Sequence, residues 1–434
     1  MDQLPRKLGL LDATLIVIGI VIGSGIFLLP NLIAKELPSG PAMIAVWIAT
    51  GVLSFFGALA YAELGAMMPA TGGQYVFLRE AYGPWCAFLC GWVFVLAVLP
   101  GGIAFLSVGF SIYLDRFIPL TPLLRTVVAI ALVMVLSAIN YVGVTESAWT
   151  QRIFTSLKIL GLALVIGVAI FSPAHAASTV PASVSYAGVG LAATACLMAY
   201  NGWSYVSFVA GEVKNPDRNL PRSLAIGMCM VIALYVSANL AYLHVLTVPE
   251  IAATERVGAA VAERTMGSAG GTVLAVVVLL SIVGAVNGCI LTGARIPFAQ
   301  ARDGYFFSRF GRVHPRFATP AFAIVIQALW TAVVISTGSF ETLAAYTIFS
   351  AWIFYTLSVV AVWVLRRKRP DAPRPYRMWG YPVTLWLFVI VSVWFLVDAL
   401  INQPTTSLIA LGITAAGIPL YFIWAKNGSA KKAE

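Results

Sequence analysis

The chain has 434 residues, 60% of them hydrophobic and 10% charged, where a soluble globular protein carries about 25% charged residues. With a mean hydropathy of +0.91, this excludes a soluble enzyme with an ordinary core. The net charge of +10, from 27 Lys and Arg against 17 Asp and Glu, would suggest nucleic acid in a soluble chain. Here the basic residues lie in short loops between apolar blocks, so membrane topology accounts for them.

Blocks of roughly 20 apolar residues span a bilayer, and each is expected to be helical because hydrocarbon offers the backbone no partner. The first runs near 9–31 and is interrupted by Gly23-Ser24-Gly25. It is too long for the apolar region of a signal peptide, and Pro30-Asn31 is a poor cleavage site. The second, near 40–68, carries Glu63, and the third, near 82–114, carries Cys86, Cys90 and Pro100-Gly101-Gly102. After a fourth near 122–143, the fifth, near 150–171, holds Lys158 about six residues inside its start. The sixth, near 187–211, is interrupted by Asn201-Gly202 and followed at once by Trp203. Spans near 221–247 and 270–302 follow, the latter with Asn287 at depth and Arg295 toward its end. The last four lie near 320–337, 341–366 (with Trp352), 379–401 (with Asp398) and 405–425.

Twelve spans with both termini cytoplasmic place 20 of the 27 Lys and Arg on the inner side and 5 on the outer, with Lys158 and Arg295 inside spans. That bias is the positive-inside pattern, and an error of one span would scramble it. The five cysteines (Cys86, Cys90, Cys196, Cys229, Cys289) sit in apolar blocks, where thiols are usually inert packing groups. Neither they nor His175, His244 and His314 show metal-ligand spacing. No metal and no cofactor is expected.

The two interruptions carry the functional reading. One glycine cluster alone reads as close helix packing. Two, each about fourteen residues into its span and five spans apart, match an inverted-repeat transporter whose site lies at the breaks. A broken helix exposes amide N–H groups on one half and carbonyls on the other. The first suit a carboxylate and the second an ammonium, so backbone alone can hold the zwitterionic head of an amino acid. The sequence lacks the Asp pair, Ser–His set or His–Glu–x–x–His run of an intramembrane enzyme and the continuous polar lining of a channel. Lys158, roughly 9 Å deep at 1.5 Å per residue, either snorkels to the interface or sets its ammonium against carbonyls freed by the broken first span. Glu63 and Arg295 are expected to pair, with each other or with loop groups. Asn287 needs a partner, either across a helix contact or in a network of spans 1, 5 and 8 around Lys158.

These residues also resemble a family. Gly23-Ser24-Gly25-Ile26-Phe27, Tyr61-Ala62-Glu63-Leu64-Gly65, Pro69-Ala70-Thr71-Gly72-Gly73-Gln74-Tyr75, Ala199-Tyr200-Asn201-Gly202-Trp203 and Glu212-Val213-Lys214-Asn215-Pro216 occur in order. With Asn287-Gly288, Arg302-Asp303-Gly304 and the basic run Arg366 to Pro375, the set is similar to the amino acid–polyamine–organocation superfamily, and within it to the L-type amino acid transporter branch. The resemblance implies an all-α polytopic membrane protein with the leucine-transporter fold. Residues 1–171 (spans 1–5) and 187–366 (spans 6–10) would form the inverted 5+5 repeat, followed by two C-terminal helices in 379–425 and a cytoplasmic tail, 426–434. It implies a sodium-independent exchanger of neutral L-amino acids working by alternating access, with a proton-coupled permease for cationic amino acids or polyamines as the alternative. A bundle of spans 1, 2, 6 and 7 would rock against spans 3, 4, 8 and 9.

Carried over by motif, the amides of Ser24, Gly25 and Ile26, beside Gly23, take the substrate carboxylate. The carbonyls of Val21, Met198 and Asn201, beside Gly202, take the ammonium. Gly101, Gly102, Trp203 and Trp352 are the pocket or gate candidates, and Lys158 with Asn287 the coupling candidates. Lys158 would stand where sodium-coupled relatives hold sodium. The family often has a large aromatic where this chain has Met198. Its eukaryotic members bind a heavy chain through a cysteine between spans 3 and 4, and Asp115 to Pro122 contain none, so no disulfide-linked partner is expected. The short termini fit a bacterial member in the inner membrane.

Overall fold

The computed structural model describes residues 4–173, 186–337 and 340–430; His175, Lys431 and Lys432 lie outside them. Every regular element among them is helical apart from one isolated bridge between Leu8 and Val213. In chain order they are α1 (Leu10–Val21), α2 (Gly25–Glu36), α3 (Gly40–Met67), α4 (Gln74–Tyr82) and α5 (Pro84–Leu114). Next come α6 (Pro122–Val142), α7 (Val144–Phe171), α8 (Tyr186–Ala199), a 3₁₀ helix (Trp203–Glu212) and α9 (Pro216–Val245). The short α10 (Val248–Ala253) and α11 (Val257–Met266) lead into α12 (Ser268–Arg302), then a 3₁₀ turn (Ser308–Gly311). The chain closes with α13 (Ala321–Thr337), α14 (Phe340–Lys368), α15 (Val383–Asn402) and α16 (Pro404–Ala430).

Among the described residues nine helices are long and apolar enough to cross a membrane, and α1 with α2, bent by 41° at their break, make a tenth. The other two spans expected from the sequence correspond to the segment of α8 with its 3₁₀ helix and to the shorter apolar α13, which fall outside that count. Prolines open α5, α6, α9 and α16, where the missing N–H costs nothing. Burial separates roles. The long α12 is the most buried span, whereas α6 and α16 are the least, as expected of helices with one side against lipid.

Around α1 the packing is tight. It touches α7, α9, α12 and the 3₁₀ helix, while α2 lies against α8 and α10. Elsewhere α3 runs along α9, and α12 along α7 and α5. Within α5 a π turn at Phe94–Val98 disturbs the helical hydrogen bonding, and the Trp330 indole N–H donates to the Leu96 carbonyl there at 2.9 Å. The α3–α4 link needs glycine at 73. Its φ is +40°, and a Cβ there would lie 2.3 Å from the Ser207 carbonyl oxygen, so this link is pressed onto the 3₁₀ helix.

The short α10 and α11 both lie against α2. The Asn31 amide of α2 donates to the carbonyls of Ile251 and Ala252 at 3.0 and 2.8 Å. Glu250 accepts from the Thr247 N–H and hydroxyl at 2.7 and 2.9 Å and from Arg264 at 2.8 Å. The Thr247 N–H and the Arg264 guanidinium hold the Glu250 carboxyl down at about 2. A depressed carboxyl stabilises the fold above its unfolded value and loses that contribution as pH falls to the folded one. Glu250→Gln should therefore lower the thermal midpoint by an amount that is constant above about pH 5 and fades as pH falls toward 2. Differential scanning fluorimetry across that range measures it, and a gap independent of pH would contradict the assignment.

Candidate functional site

The two interruptions meet. Residues 22–24 leave helical geometry between α1 and α2, and Gly202, at φ +111°, turns α8 into the 3₁₀ helix. A Cβ on Gly202 would lie 2.5 Å from Ile20 Cγ2, and one on Gly25 3.3 Å from Ala199 Cα. A side chain at 202 would be strained at that φ and would run into Ile20, and one at 25 would be tight against Ala199. Between them lies a cavity of about 90 Å³ lined by both breaks, with walls that include Gly102, Phe105, Leu106, Met198, Thr347 and Ile348. No charged side chain lines it among the described residues.

Polar backbone groups at the breaks fall into two sets. Several carbonyls are occupied. Lys158, buried on α7, donates to the carbonyls of Gly19 and Ile22 at 2.8 and 2.6 Å and to that of Ser281 on α12 at 2.7 Å. Three donors meet three acceptors, which fits a protonated ammonium. The Ser281 hydroxyl also donates to the Ile22 carbonyl at 2.8 Å. The Tyr235 hydroxyl of α9 lies 2.8 Å from the Val21 carbonyl and 3.1 Å from that of Ala199, joining the two breaks. The Met198 carbonyl accepts from the Asn201 N–H at 3.2 Å.

The second set is free. The amides of Ser24, Gly25 and Ile26 donate to no backbone carbonyl, and the Asn201 carbonyl accepts no backbone hydrogen bond, among the described residues. The buried Ser24 hydroxyl has no partner either. Unoccupied donors at the start of α2 and an unoccupied acceptor at the second break thus lie at the same cavity, whose lining is mostly apolar. Such an arrangement takes a small molecule with a carboxylate at one end and a cation at the other. Among the described residues no three His, Cys, Asp or Glu groups are close enough to hold a metal ion.

The remaining candidate residues spread out from here. Val21, Gly23, Ser24, Gly25, Met198, Asn201, Gly202 and Gly102 line the cavity, and Ile26 and Gly101 are buried beside it. Trp203 stands outside, in a buried aromatic layer with Tyr61 and Tyr355 at 5.0 and 5.5 Å between rings. Trp352 stacks on Phe388 at 5.6 Å, also off the cavity. The Tyr355 hydroxyl reaches the Asn201 side chain at 3.0 Å, linking layer to site. Asn287 makes no bond to Lys158. It donates to the Ser147 carbonyl and the Gln151 side chain at 3.1 and 2.9 Å, and accepts from Asn140 at 2.9 Å. Gln151 and Thr155 then reach the Leu15 carbonyl, both at 3.3 Å. Asn287 therefore belongs to a network tying α6, α7 and α12 to α1, both a helix–helix contact and part of the surroundings of the first break. Ser147, Gln151, Thr155 and Lys158 form one helical stripe on α7, a signal that the sequence offered. Tyr235 and Ser281 had no such signal.

Past the aromatic layer lie several ion pairs. Glu212, at the end of the 3₁₀ helix, pairs with Arg295 of α12 at 2.8 and 2.9 Å, both fully buried. Glu63 pairs with Arg366 at 2.9 and 2.7 Å and with Arg374 at 3.5 Å. Glu63 and Arg295 thus have separate partners. Asp12 pairs with Arg152, and Arg79 with Asp303. Leu8 hydrogen-bonds on both sides of Val213, clamping the N-terminal segment across the end of the 3₁₀ helix.

A family model described as amino acid permease matches residues 8–419. The chain is 32% identical to the serine/threonine exchanger SteT of Bacillus subtilis over 97% of both chains. It is 31% identical to the human b(0,+)-type amino acid transporter 1, covering 99% of this chain and 90% of that one. It is 33% identical to the human large neutral amino acids transporter small subunit 2, covering 97% and 80%.

Removing one partner of a buried pair costs about 3–5 kcal/mol, whereas replacing both with apolar groups is often neutral. Glu212→Gln should sharply reduce the yield of folded protein, and the double variant Glu212→Leu/Arg295→Met should recover it. Size-exclusion profiles of fluorescently tagged protein compare the three. Equal loss in single and double variants would contradict this reading of the pair.

Proposed function

The chain belongs to the amino acid permease family, and from that premise we propose that it exchanges small neutral L-amino acids across a membrane by alternating access, without sodium. The observation that carries the substrate class is the pairing of free amides at Ser24, Gly25 and Ile26 with the free Asn201 carbonyl across an uncharged cavity. The carboxylate docks on the amides at the positive end of α2. The ammonium takes the Asn201 carbonyl and the remaining lone pairs of Val21 and Met198. The side chain extends among Gly102, Leu106, Met198 and Ile348.

Size follows from the cavity. At about 90 Å³ it lies below the range of roughly 300–1,000 Å³ usual for drug-sized ligands. Small substrates such as serine, threonine and alanine therefore lead. The similarity to a serine/threonine exchanger supports the same choice. A cationic amino acid or polyamine would favour an acidic or aromatic cage, and no acidic residue lines this cavity among the described residues.

Lys158 supports sodium independence. Its ammonium occupies the carbonyls of Gly19, Ile22 and Ser281, where a bound cation would otherwise have to balance them. Charge is then fixed at the first break in every transport state. Rocking separates the elements that close the cytoplasmic face, with α1, α3, the segment from α8 to the 3₁₀ helix, and α9 moving against α5, α6, α12 and α13. The basic bias of the loops supports cytoplasmic termini. The cysteine-free segment from Asp115 to Pro122 supports function without a disulfide-linked partner, as in a bacterial inner membrane.

Proteoliposomes test this directly. Trans-loaded serine should accelerate uptake of labelled serine several-fold over empty vesicles, and replacing sodium with choline should leave the rate unchanged. Equal rates with and without internal substrate would make the protein a uniporter, and strict sodium dependence would remove the proposed role of Lys158. Lys158→Ala removes the donor to the Gly19, Ile22 and Ser281 carbonyls, of which Ile22 keeps the Ser281 hydroxyl; a buried group left unsatisfied costs about 1–3 kcal/mol, so uptake should fall about tenfold or more.

Gly102→Ala tests the pocket. Its methyl group would meet Thr347 Cγ2 at 3.8 Å, an ordinary contact, so folding should be unaffected. One added methylene in a pocket is worth about 10–200-fold. Competition by valine and leucine should weaken by roughly that factor while serine still competes. An unchanged substrate profile would place the side chain elsewhere.

A further inference from the structure

The loop from α12 to α13 carries charge that the transport site does not use. Residues 303–320 contain Arg309, Arg312 and Arg316 but only one carboxylate, Asp303, which is occupied by Arg79 and by the Tyr75 hydroxyl. Arg309 and Arg312 have no carboxylate partner among the described residues. Solvated loop arginines alone would be unremarkable as topology signals. These sit on the rim of a cleft of about 680 Å³ between this loop and the ends of α6 and α13.

The cleft is built rather than incidental. The 3₁₀ turn that carries Arg309 is anchored by buried Phe310, whose ring lies 4.8 Å from Phe306 and 4.9 Å from Phe322. The turn after it is locked by His314 N–H to the Thr319 carbonyl and Ala318 N–H to the His314 carbonyl, both 2.9 Å. It is tight enough to hold Ala318 at φ +53°, unusual for a residue with a Cβ. The Thr319 hydroxyl ties it to the Tyr141 carbonyl at the end of α6, at 2.9 Å. The His314 ring lies 4.8 Å from Phe317 and 5.4 Å from Tyr141. Its Nδ1 accepts from the N–H groups of Arg316 and Phe317 at 3.3 and 3.2 Å. That assigns the proton to Nε2, leaving a donor on a ring that lines the same cleft as the two arginines.

The cleft's two walls differ. Arg309, Arg312 and His314 form one side, and Phe322 and Val325 of α13 the other. Below them Val325, Leu329 and Val333 are 42%, 50% and 49% exposed, spaced one turn apart along the face of α13 that lies against lipid. Donors for phosphate oxygens therefore stand directly over an apolar stripe that suits an acyl chain. We propose that this cleft binds an anionic phospholipid, its phosphate held by Arg309, Arg312 and His314 and one chain lying along α13. A zwitterionic headgroup would bring its own cation against the arginines, so the cleft selects a net negative lipid. A free phosphate ion would make no use of the apolar wall.

Native mass spectrometry of the purified full-length protein tests this. Phosphatidylglycerol should bind about tenfold more tightly than phosphatidylcholine of the same chains, and Arg309→Gln/Arg312→Gln should remove that preference. Arg218→Gln/Arg222→Gln, which deletes the same charge from exposed positions on α9, should retain it. A monodisperse size-exclusion profile shows that each variant is folded. Three results would overturn the proposal: equal binding of both lipids by wild type, equal loss of preference in both double variants, or displacement of the lipid by millimolar inorganic phosphate.

Discussion

Everything at the centre of this molecule depends on the rule that a backbone polar group in hydrocarbon must find a partner. Breaking a helix there frees several such groups. Lys158 answers the carbonyls of Gly19 and Ile22, and Tyr235 that of Val21. Among the described residues, the groups left without a backbone partner include the amides of Ser24, Gly25 and Ile26 and the Asn201 carbonyl, at the two breaks that line the cavity. The site is therefore the residue of a balance, the small part of a costly break that neighbouring helices leave for a ligand. Their reach also dictates the packing. For Lys158 and Tyr235 to arrive, α7, α9 and α12 must approach α1 closely. Small residues allow it: a Cβ on Gly227 would lie 2.7 Å from Val17, and one on Gly288 2.5 Å from Ile20.

On the proposed reading, the layers beyond the cavity act as two kinds of seal with different physics. The aromatic layer of Tyr61, Trp203 and Tyr355 excludes water by packing and costs apolar exposure to open. The Glu212–Arg295 pair beyond it is held by charge in a dry place, where desolvation offsets much of the attraction. Admitting water weakens the attraction and rehydrates both ions at once. Such a pair can separate at modest cost once water enters, yet it tolerates no half-removed state. An apolar layer nearest the cavity and an ionic layer nearest water place each seal where its energetics serve alternating access.

Much of this was legible in the sequence because membrane spans are long and their interruptions rare. Gly23-Ser24-Gly25 and Asn201-Gly202 stand out against runs of Leu, Val and Ile, and Lys158 is conspicuous as a charge at depth. The network around Asn287 was half legible. The stripe Ser147, Gln151, Thr155, Lys158 has helical spacing, but its target, the Leu15 carbonyl, is backbone and leaves no mark in composition. Tyr235 is one of 16 tyrosines and nothing local distinguishes it. Its hydroxyl matters only because the fold sets two distant breaks within its reach. Partners of Glu63 and Arg295 were hidden for the same reason. Opposite charges near the ends of two spans suggest each other, whereas tertiary geometry assigns them to Arg366 and Glu212.

Met198 shows how the pieces constrain one another. It lines the cavity where relatives of the kind resembled often carry a large aromatic. A methionine is flexible and adapts to what lies beside it, so it seals less firmly than a ring. Rigid rings stand in the cavity wall at Phe105 and Tyr205, and one step further Trp203 packs on Tyr355, which is joined to the site through the Asn201 side chain. Asn201 thereby has two contacts that matter. Its carbonyl, at the cavity's edge, has no backbone partner among the described residues, and its side chain accepts from Tyr355. On the proposed reading, a substrate ammonium drawn to that carbonyl pulls on the same residue that steadies the aromatic layer, so occupancy of the site and closure of the inner face are linked through one backbone unit.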